Sequence, residues 1–130
     1  MRGEKYLTKP QQYALVHSKG SSWASKLVVM KALPNGLTLS RYGFSVSRRV
    51  GKAVTRNRVK RLLREILRVM PLKSAWDIIF IVRPSAATAD YATLKNSVEG
   101  LLSRASLLET EKEHSFLAGV KAGDGRELAD

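Results

Sequence analysis

A chain of 130 residues, 44% of them hydrophobic, suits one compact domain with a real core and leaves little room for a second. Its 23 Lys and Arg against 11 Asp and Glu give a net charge of +12, which implies a polyanionic partner: RNA, DNA or an anionic membrane surface. Without cysteine there are no disulfides or thiolate sites, and His17 and His114 are too far apart in sequence to form a zinc-ligand spacing.

Residues 1–8 read as a loose arm, with no apolar stretch of the kind a secretory signal carries. Lys9 to Ser18 predicts a short helix, with Pro10 in its first turn and Tyr13, Ala14 and Val16 available for burial. The β-branched run Leu27–Ala32 predicts a strand, and Pro34-Asn35-Gly36 a turn, since Asn and Gly accept positive φ at little cost. Leu37 to Leu39 begins a second strand-like stretch. Tyr42, Phe44 and Val46 then alternate with small residues in the period of a strand.

The period changes next. Val59, Leu62, Leu63, Ile66 and Met70 form the apolar stripe of an amphipathic helix that Pro71 stops. The sequence WDIIFIV from Trp76 to Val82 reads as a central strand covered on both faces. After a loop at Ser85–Thr88, residues Asp90 to Leu108 place Tyr91, Leu94, Val98, Leu101, Leu102, Ala105 and Leu108 at helical spacing. The predicted architecture is a small two-layer α/β sandwich with a central mixed sheet, in the order α-β-β-β-α-β-α. Residues 1–108 form its one domain, and 109–130 form an acidic tail expected to be disordered. No apolar run is long enough to cross a bilayer, so a cytoplasmic location is expected.

Charge is segregated along the chain. From Arg41 to Arg68 there are ten basic residues and one acidic residue, Glu65, whereas from Ala105 onward three basic residues face six acidic ones. Like charges crowded on one helix cost folding stability unless a ligand compensates, so a nucleic-acid surface is a better explanation than a solvated face. Within YGFSVSRRVGKAVTRNRVKRLLRE (Tyr42–Glu65), a strand delivers Arg48 and Arg49, Gly51 permits a tight backbone approach and Lys52 follows. The helix then presents Arg56, Asn57, Arg58, Lys60, Arg61 and Arg64 beside the unpaired N–H groups of its first turn. Such a surface positions a phosphate backbone and by itself reads no base sequence.

The stretch GKAVTRNRVKRLLRE, with Arg56-Asn57-Arg58 at its centre, resembles the bacterial ribonuclease P protein component family. YGFSVSRRVGKAV before it, DIIFIVRPSAA after it and the opening LTKPQQYALVHSKG agree in order and spacing, so that the resemblance spans about residues 7–108. It implies an α/β sandwich with a left-handed strand–helix–strand crossover, an exception to the usual hand. It also implies a protein subunit that assists removal of the 5′ leader from precursor tRNA. The catalytic RNA and its Mg²⁺ ions carry out the hydrolysis, and no organic cofactor is expected.

By the same resemblance Arg48, Arg49, Lys52, Arg56, Asn57, Arg58, Lys60, Arg61 and Arg64 face the ribonuclease P RNA, and a cleft between the first helix and the sheet receives the leader. Family members often place phenylalanine at two positions one helical turn apart in that helix and a further aromatic on the first strand. This chain has Tyr13, His17 and Met30 there, with Trp23 and Lys26 as rim contacts. Core packing is the alternative for Tyr13 and Met30, and an exposed loop position for His17. One protein per RNA is expected, with higher assembly open. Asp77, Asp90 and Glu99 lack the clustering a metal nuclease needs, so no residue of the chain is expected to be catalytic. The competing assignments are a ribosomal or general RNA-binding protein without cleavage stimulation and, more distantly, a DNA-binding or membrane-surface protein. The amphipathic helix needs its apolar face for the core and has none left for lipid.

Overall fold

A computed structural model describes residues 6–109. The elements are α1 (Pro10–Lys19), β1 (Ser21–Ala24), β2 (Val28–Pro34), β3 (Arg41–Ser45), α2 (Ala53–Arg68), β4 (Trp76–Val82) and α3 (Tyr91–Arg104), with short 3-10 turns at Arg48–Val50 and Pro84–Thr88. They follow the expected order. Three strands do precede α2, but the extra one is Ser21–Ala24, and Leu37–Leu39 is a bend. The reason lies in Asn35: its side chain accepts from Leu37 N at 2.8 Å and donates to Leu39 O at 3.1 Å, closing this segment on itself.

The four strands lie in the order β1-β2-β4-β3. β1 and β2 pair antiparallel, as do β2 and β4, whereas β3 runs parallel to β4 and is joined to it through α2. The sheet is therefore mixed. Tyr6 and Leu7, expected in a loose arm, are held: Tyr6 bridges Tyr42 on the outer side of β3, Leu7 N donates to Tyr42 O at 2.8 Å, and Leu7 is buried. The remainder of that arm, residues 1–5, and the tail from residue 110 lie outside the described residues.

β4 organises two cores because its side chains alternate between faces. Ile78, Phe80 and Val82 meet Val28, Met30 and Ala32 of β2 under the apolar seams of α2 (Val59, Leu63, Ile66, Leu67) and α3 (Leu94, Val98, Leu101, Leu102). Ile79 turns the other way, to Leu7 and to Val16 of α1, with Tyr13, Leu33 and Ile81 around them. The two-layer body of sheet, α2 and α3 thus carries α1 as a partial third layer on its reverse face. α1 is short and buries only Val16. It ends where Gly20 lets the chain turn sharply into β1: a Cβ there would lie 2.5 Å from Val16 O and 2.9 Å from Ala32 O. The Gly20 N–H itself bonds Val16 O at 2.8 Å.

Asp77, at the start of β4, is almost fully buried but not alone. Arg41 grips it through Nε (2.9 Å) and Nη2 (2.7 Å), and Asn35 Nδ2 adds a third donor at 2.9 Å. This acid ties the β2–β3 connection to the central strand. Among the described residues no helix is long and apolar enough to cross a membrane.

Candidate nucleic-acid interface

The basic segment is built outward from a few buried anchors. Val50 is buried and fixes the 3-10 turn, whose start is held by Ser47 Oγ accepting from Arg49 N at 3.3 Å. The chain then passes through Gly51 at φ +150, a conformation that side-chain-bearing residues rarely adopt, and enters α2 at Lys52. No side chain caps this helix, which leaves its first-turn N–H groups without a capping acceptor, and Arg48, Arg49 and Lys52 just before it are all exposed. With Val59, Leu63, Ile66 and Leu67 committed to the core, the opposite face holds Asn57, Arg61, Arg64 and Arg68 in solvent, and Lys60 is half-buried on a flank. Asn57, Arg61, Arg64 and Arg68 thus share one exposed face of α2.

The two arginines of the RNR motif are not part of that free face in the same way. Two positions apart on a helix, they project about 200° from each other. Arg56 turns back, and its Nε donates to Gly51 O at 3.1 Å, bracing the tight turn that precedes α2. Arg58 turns toward the other side and holds two carbonyls of the distant 3-10 turn, Ala87 O through Nη1 at 3.2 Å and Ala89 O through Nη2 at 2.6 Å. Asp90, which follows, caps α3 by accepting from Thr93 N at 2.9 Å. That bonding with Thr93 holds its carboxyl below the usual carboxylate range, and the Arg58 guanidinium adds to the effect.

The residues expected at a leader cleft are divided by the fold. Tyr13 and His17 lie one turn apart on α1, Tyr13 half-buried and His17 exposed. The Tyr13 ring rests on β3 at Gly43, where a Cβ would come within 2.7 Å of both Cε2 and the hydroxyl oxygen. Burial pushes its phenol above the usual range, so the hydroxyl stays protonated. Met30 is elsewhere. It is fully buried among the side chains under α2 and α3, and the core alternative is the one observed. Its strand partner Trp23 shares that face and packs against the same core. Lys26 is exposed on the β1–β2 turn beside the Pro84–Thr88 turn, where its carbonyl accepts from Ser85 Oγ at 2.7 Å. None of the three faces α1.

The charged residue of β2 on the α1 face, between Val29 and Leu33, is Lys31. It is half-buried and in register with Ile79 of β4, which is itself in register with Gly43 of β3. Cross-strand partners stand on the same side of a sheet, so Lys31, Ile79 and the Tyr13 seat form one row. Met30 and Lys31 are one residue apart on the strand and so stand on opposite faces of the sheet.

Among the described residues the carboxylates form no divalent-metal site. Asp77 is buried against Arg41 and Asn35, Asp90 caps α3, and no group of three His, Cys, Asp or Glu is brought together among the described residues.

Comparison with known proteins agrees over this whole body. A family model described as Ribonuclease P matches residues 1–106. A ribonuclease P protein component of Dehalococcoides mccartyi strain CBDB1 is 47% identical over 117 residues, covering 89% of this chain and 98% of the relative. One from Caldanaerobacter subterraneus subsp. tengcongensis is 46% identical over 109 residues, covering 82% and 93%. Among solved structures, the RNase P protein of Staphylococcus aureus superposes with a TM-score of 0.75 at 31% identity, covering 81% of this chain and 98% of the other. That of Thermotoga maritima gives a TM-score of 0.71 at 30% identity, covering 76% and 96%.

Proposed function

The chain belongs to the bacterial ribonuclease P protein family, whose members are the protein subunit of the holoenzyme that removes the 5′ leader of precursor tRNA, and from that premise we propose how its two faces divide the work. The α2 face and its preceding turn take the ribonuclease P RNA. Arg48, Arg49, Lys52, Asn57, Lys60, Arg61 and Arg64, with the two free terminal nitrogens of Arg56, meet phosphate and sugar and fix the protein's orientation on the RNA. The reverse face, between α1 and the sheet, takes the single-stranded leader. Tyr13 and His17 offer ring surfaces for stacking, and Lys31 offers a cation for the leader backbone.

The observation that carries this reading is the separation of the two surfaces by the sheet. The cationic helix lies on one side and the Tyr13–Lys31 row on the other, so that RNA subunit and leader can be held at once. Mg²⁺ dependence is general to ribonuclease P holoenzymes. Among the described residues Asp77 and Asp90 are engaged in structural hydrogen bonds and no carboxylates cluster, which supports assigning the ions and the hydrolysis to the RNA. The protein then raises local affinity and favours precursor over mature tRNA, because only the precursor has a leader to fill the cleft. A protein with this role works in the cytoplasm.

Single-turnover cleavage of a leader-bearing precursor tRNA by a bacterial ribonuclease P RNA at limiting Mg²⁺ tests the assignment. Full-length protein is expected to stimulate strongly and to be inert alone. Tyr13→Ala or Lys31→Ala should weaken precursor binding and spare mature tRNA, whereas Arg61→Ala with Arg64→Ala should weaken assembly with the RNA subunit. Equal losses for precursor and mature tRNA in the Tyr13 and Lys31 variants would remove the leader cleft from the α1 face.

A further inference from the structure

The three residues of the RNR motif read as one RNA-contacting unit in the sequence, yet the fold gives them unequal employment. Asn57 points to solvent. Arg56 spends one nitrogen, Nε, on Gly51 O at 3.1 Å. Arg58 spends both terminal nitrogens on main-chain carbonyls lying 29 and 31 residues further along the chain. Those carbonyls belong to Ala87 and Ala89, at the end of the Pro84–Thr88 turn. Ala86 and Ala89 are themselves buried in the core beneath α2 and α3.

The guanidinium therefore sits where α2, the 3-10 turn and the N-terminus of α3 converge. A planar fork satisfies two carbonyls there at once, which an ammonium on a flexible stem cannot reproduce. A phosphate drawn to Arg58 would have to compete with both carbonyls, and the loser would be a main-chain acceptor in a half-buried place.

We propose that Arg58 is a positioning residue: it locks the first turns of α2 against the Pro84–Thr88 turn, thereby aiming Asn57, Arg61 and Arg64 at the RNA, and neutralises no phosphate itself. This rests on the α2 face being the RNA-subunit surface. The lock connects the ligand-facing helix to the entry of α3. α2 is the crossover between the parallel pair β3 and β4, and the Pro84–Thr88 turn leaves from the end of that same β4. A helix held at only its core seam can still roll about its axis. Arg58 lies on the flank of that seam, beside Val59, and opposes such a roll.

The test separates geometry from charge. Each phosphate neutralised by a side chain contributes about 0.7–0.9 to the slope of log affinity against log salt concentration. Full-length protein is titrated with ribonuclease P RNA over a range of salt, for the parent and for Arg58→Met, Arg58→Lys and Arg61→Ala. Amide exchange over 86–94 is followed in parallel, below the melting temperature of each variant. Arg58→Met is expected to bind about tenfold more weakly with the parent slope, and to lose protection at Ala89 and Leu94. Arg58→Lys, which keeps the charge and serves alone if the Met variant does not fold, should show the same pattern without restoring affinity. Arg61→Ala should lower the slope by about one contact.

A fall in slope for Arg58→Met matching that of Arg61→Ala, or parent affinity in Arg58→Lys, would make Arg58 a phosphate contact and overturn the proposal. Parent affinity in a folded Arg58→Met would overturn it as well, by reducing the residue to a stability role. An unchanged slope in Arg61→Ala would instead strike at the α2 surface itself.

Discussion

Replacing Gly43 by alanine probes the seat of Tyr13, and its sign should depend on whether that ring is present. The backbone of β3 at Gly43 is ordinary strand, so alanine meets no conformational penalty there and narrows the unfolded ensemble, a gain of about 0.4–1 kcal/mol. Against this, the new methyl would lie 2.7 Å from Cε2 and from the hydroxyl oxygen of Tyr13 and 2.8 Å from Cζ. Relaxed carbon contacts need about 3.5–4.0 Å, so the ring must withdraw by about 1 Å or swing off the sheet. Overpacking of this kind costs about 1–3 kcal/mol. The net loss is about 1 kcal/mol, which lowers Tm by about 4–8 °C in a domain of this size.

In a Tyr13→Ala background the obstruction is gone, and Gly43→Ala should stabilise by the full unfolded-state term, about 0.4–1 kcal/mol. Urea denaturation of the four proteins in the cycle measures both signs. Precursor and mature tRNA affinities of the reconstituted holoenzyme report whether displacing the ring costs leader binding. The same sign for Gly43→Ala in both backgrounds would refute the packing of Tyr13 on β3 and, with it, the geometry assigned to the leader face.

Other perturbations follow from the same geometry. Met30→Ala should cost about 2–5 kcal/mol in urea denaturation, because it empties the core beneath α2 and α3, while the folded fraction keeps the parent preference for precursor tRNA. Lys31→Ala should do the converse, changing stability by no more than about 0.5 kcal/mol and lowering precursor affinity in a binding titration. Asp77→Ala strips an acceptor from three donors and leaves Arg41 without its counter-charge; since the Arg41 side chain retains 21% exposure, about 3 kcal/mol is expected by chemical denaturation. Gly51→Ala forces a side chain into φ +150 and against Thr55 at 3.1 Å, costing about 1–3 kcal/mol and weakening RNA binding in a filter assay at fixed salt.

What could be read from the sequence depended on how local the governing physics was. α2 and β4 announced themselves because a 3.6-residue stripe and a bounded apolar run are decided within one element. β1 was not, since Ser21 and Ser22 carry no strand signal and the segment is strand only through its backbone pairing with β2. Leu37–Leu39 looked apolar enough for a strand, but Asn35 bonds both ends of it. In Val28-Val29-Met30 three apolar residues succeed one another, so neither face is marked by polarity and the parity of the strand is unreadable. Nothing near Arg58 in sequence shows the carbonyls of Ala87 and Ala89, so the sequence alone groups it with its cationic neighbours.

The short first strand also bears on how the protein survives before it meets RNA. β1 is an outer strand of the sheet, and an outer strand offers unpaired N–H and C=O groups to any other chain, the usual starting point for aggregation. Here it extends over only four residues, is polar at Ser21 and Ser22, and has Ala24 O taken by Arg104 Nη1 at 2.8 Å. On the opposite side, the Tyr6–Leu7 segment lies along β3 and occupies part of that border. With a net charge of +12 adding mutual repulsion, a newly made copy can remain dispersed until RNA captures it.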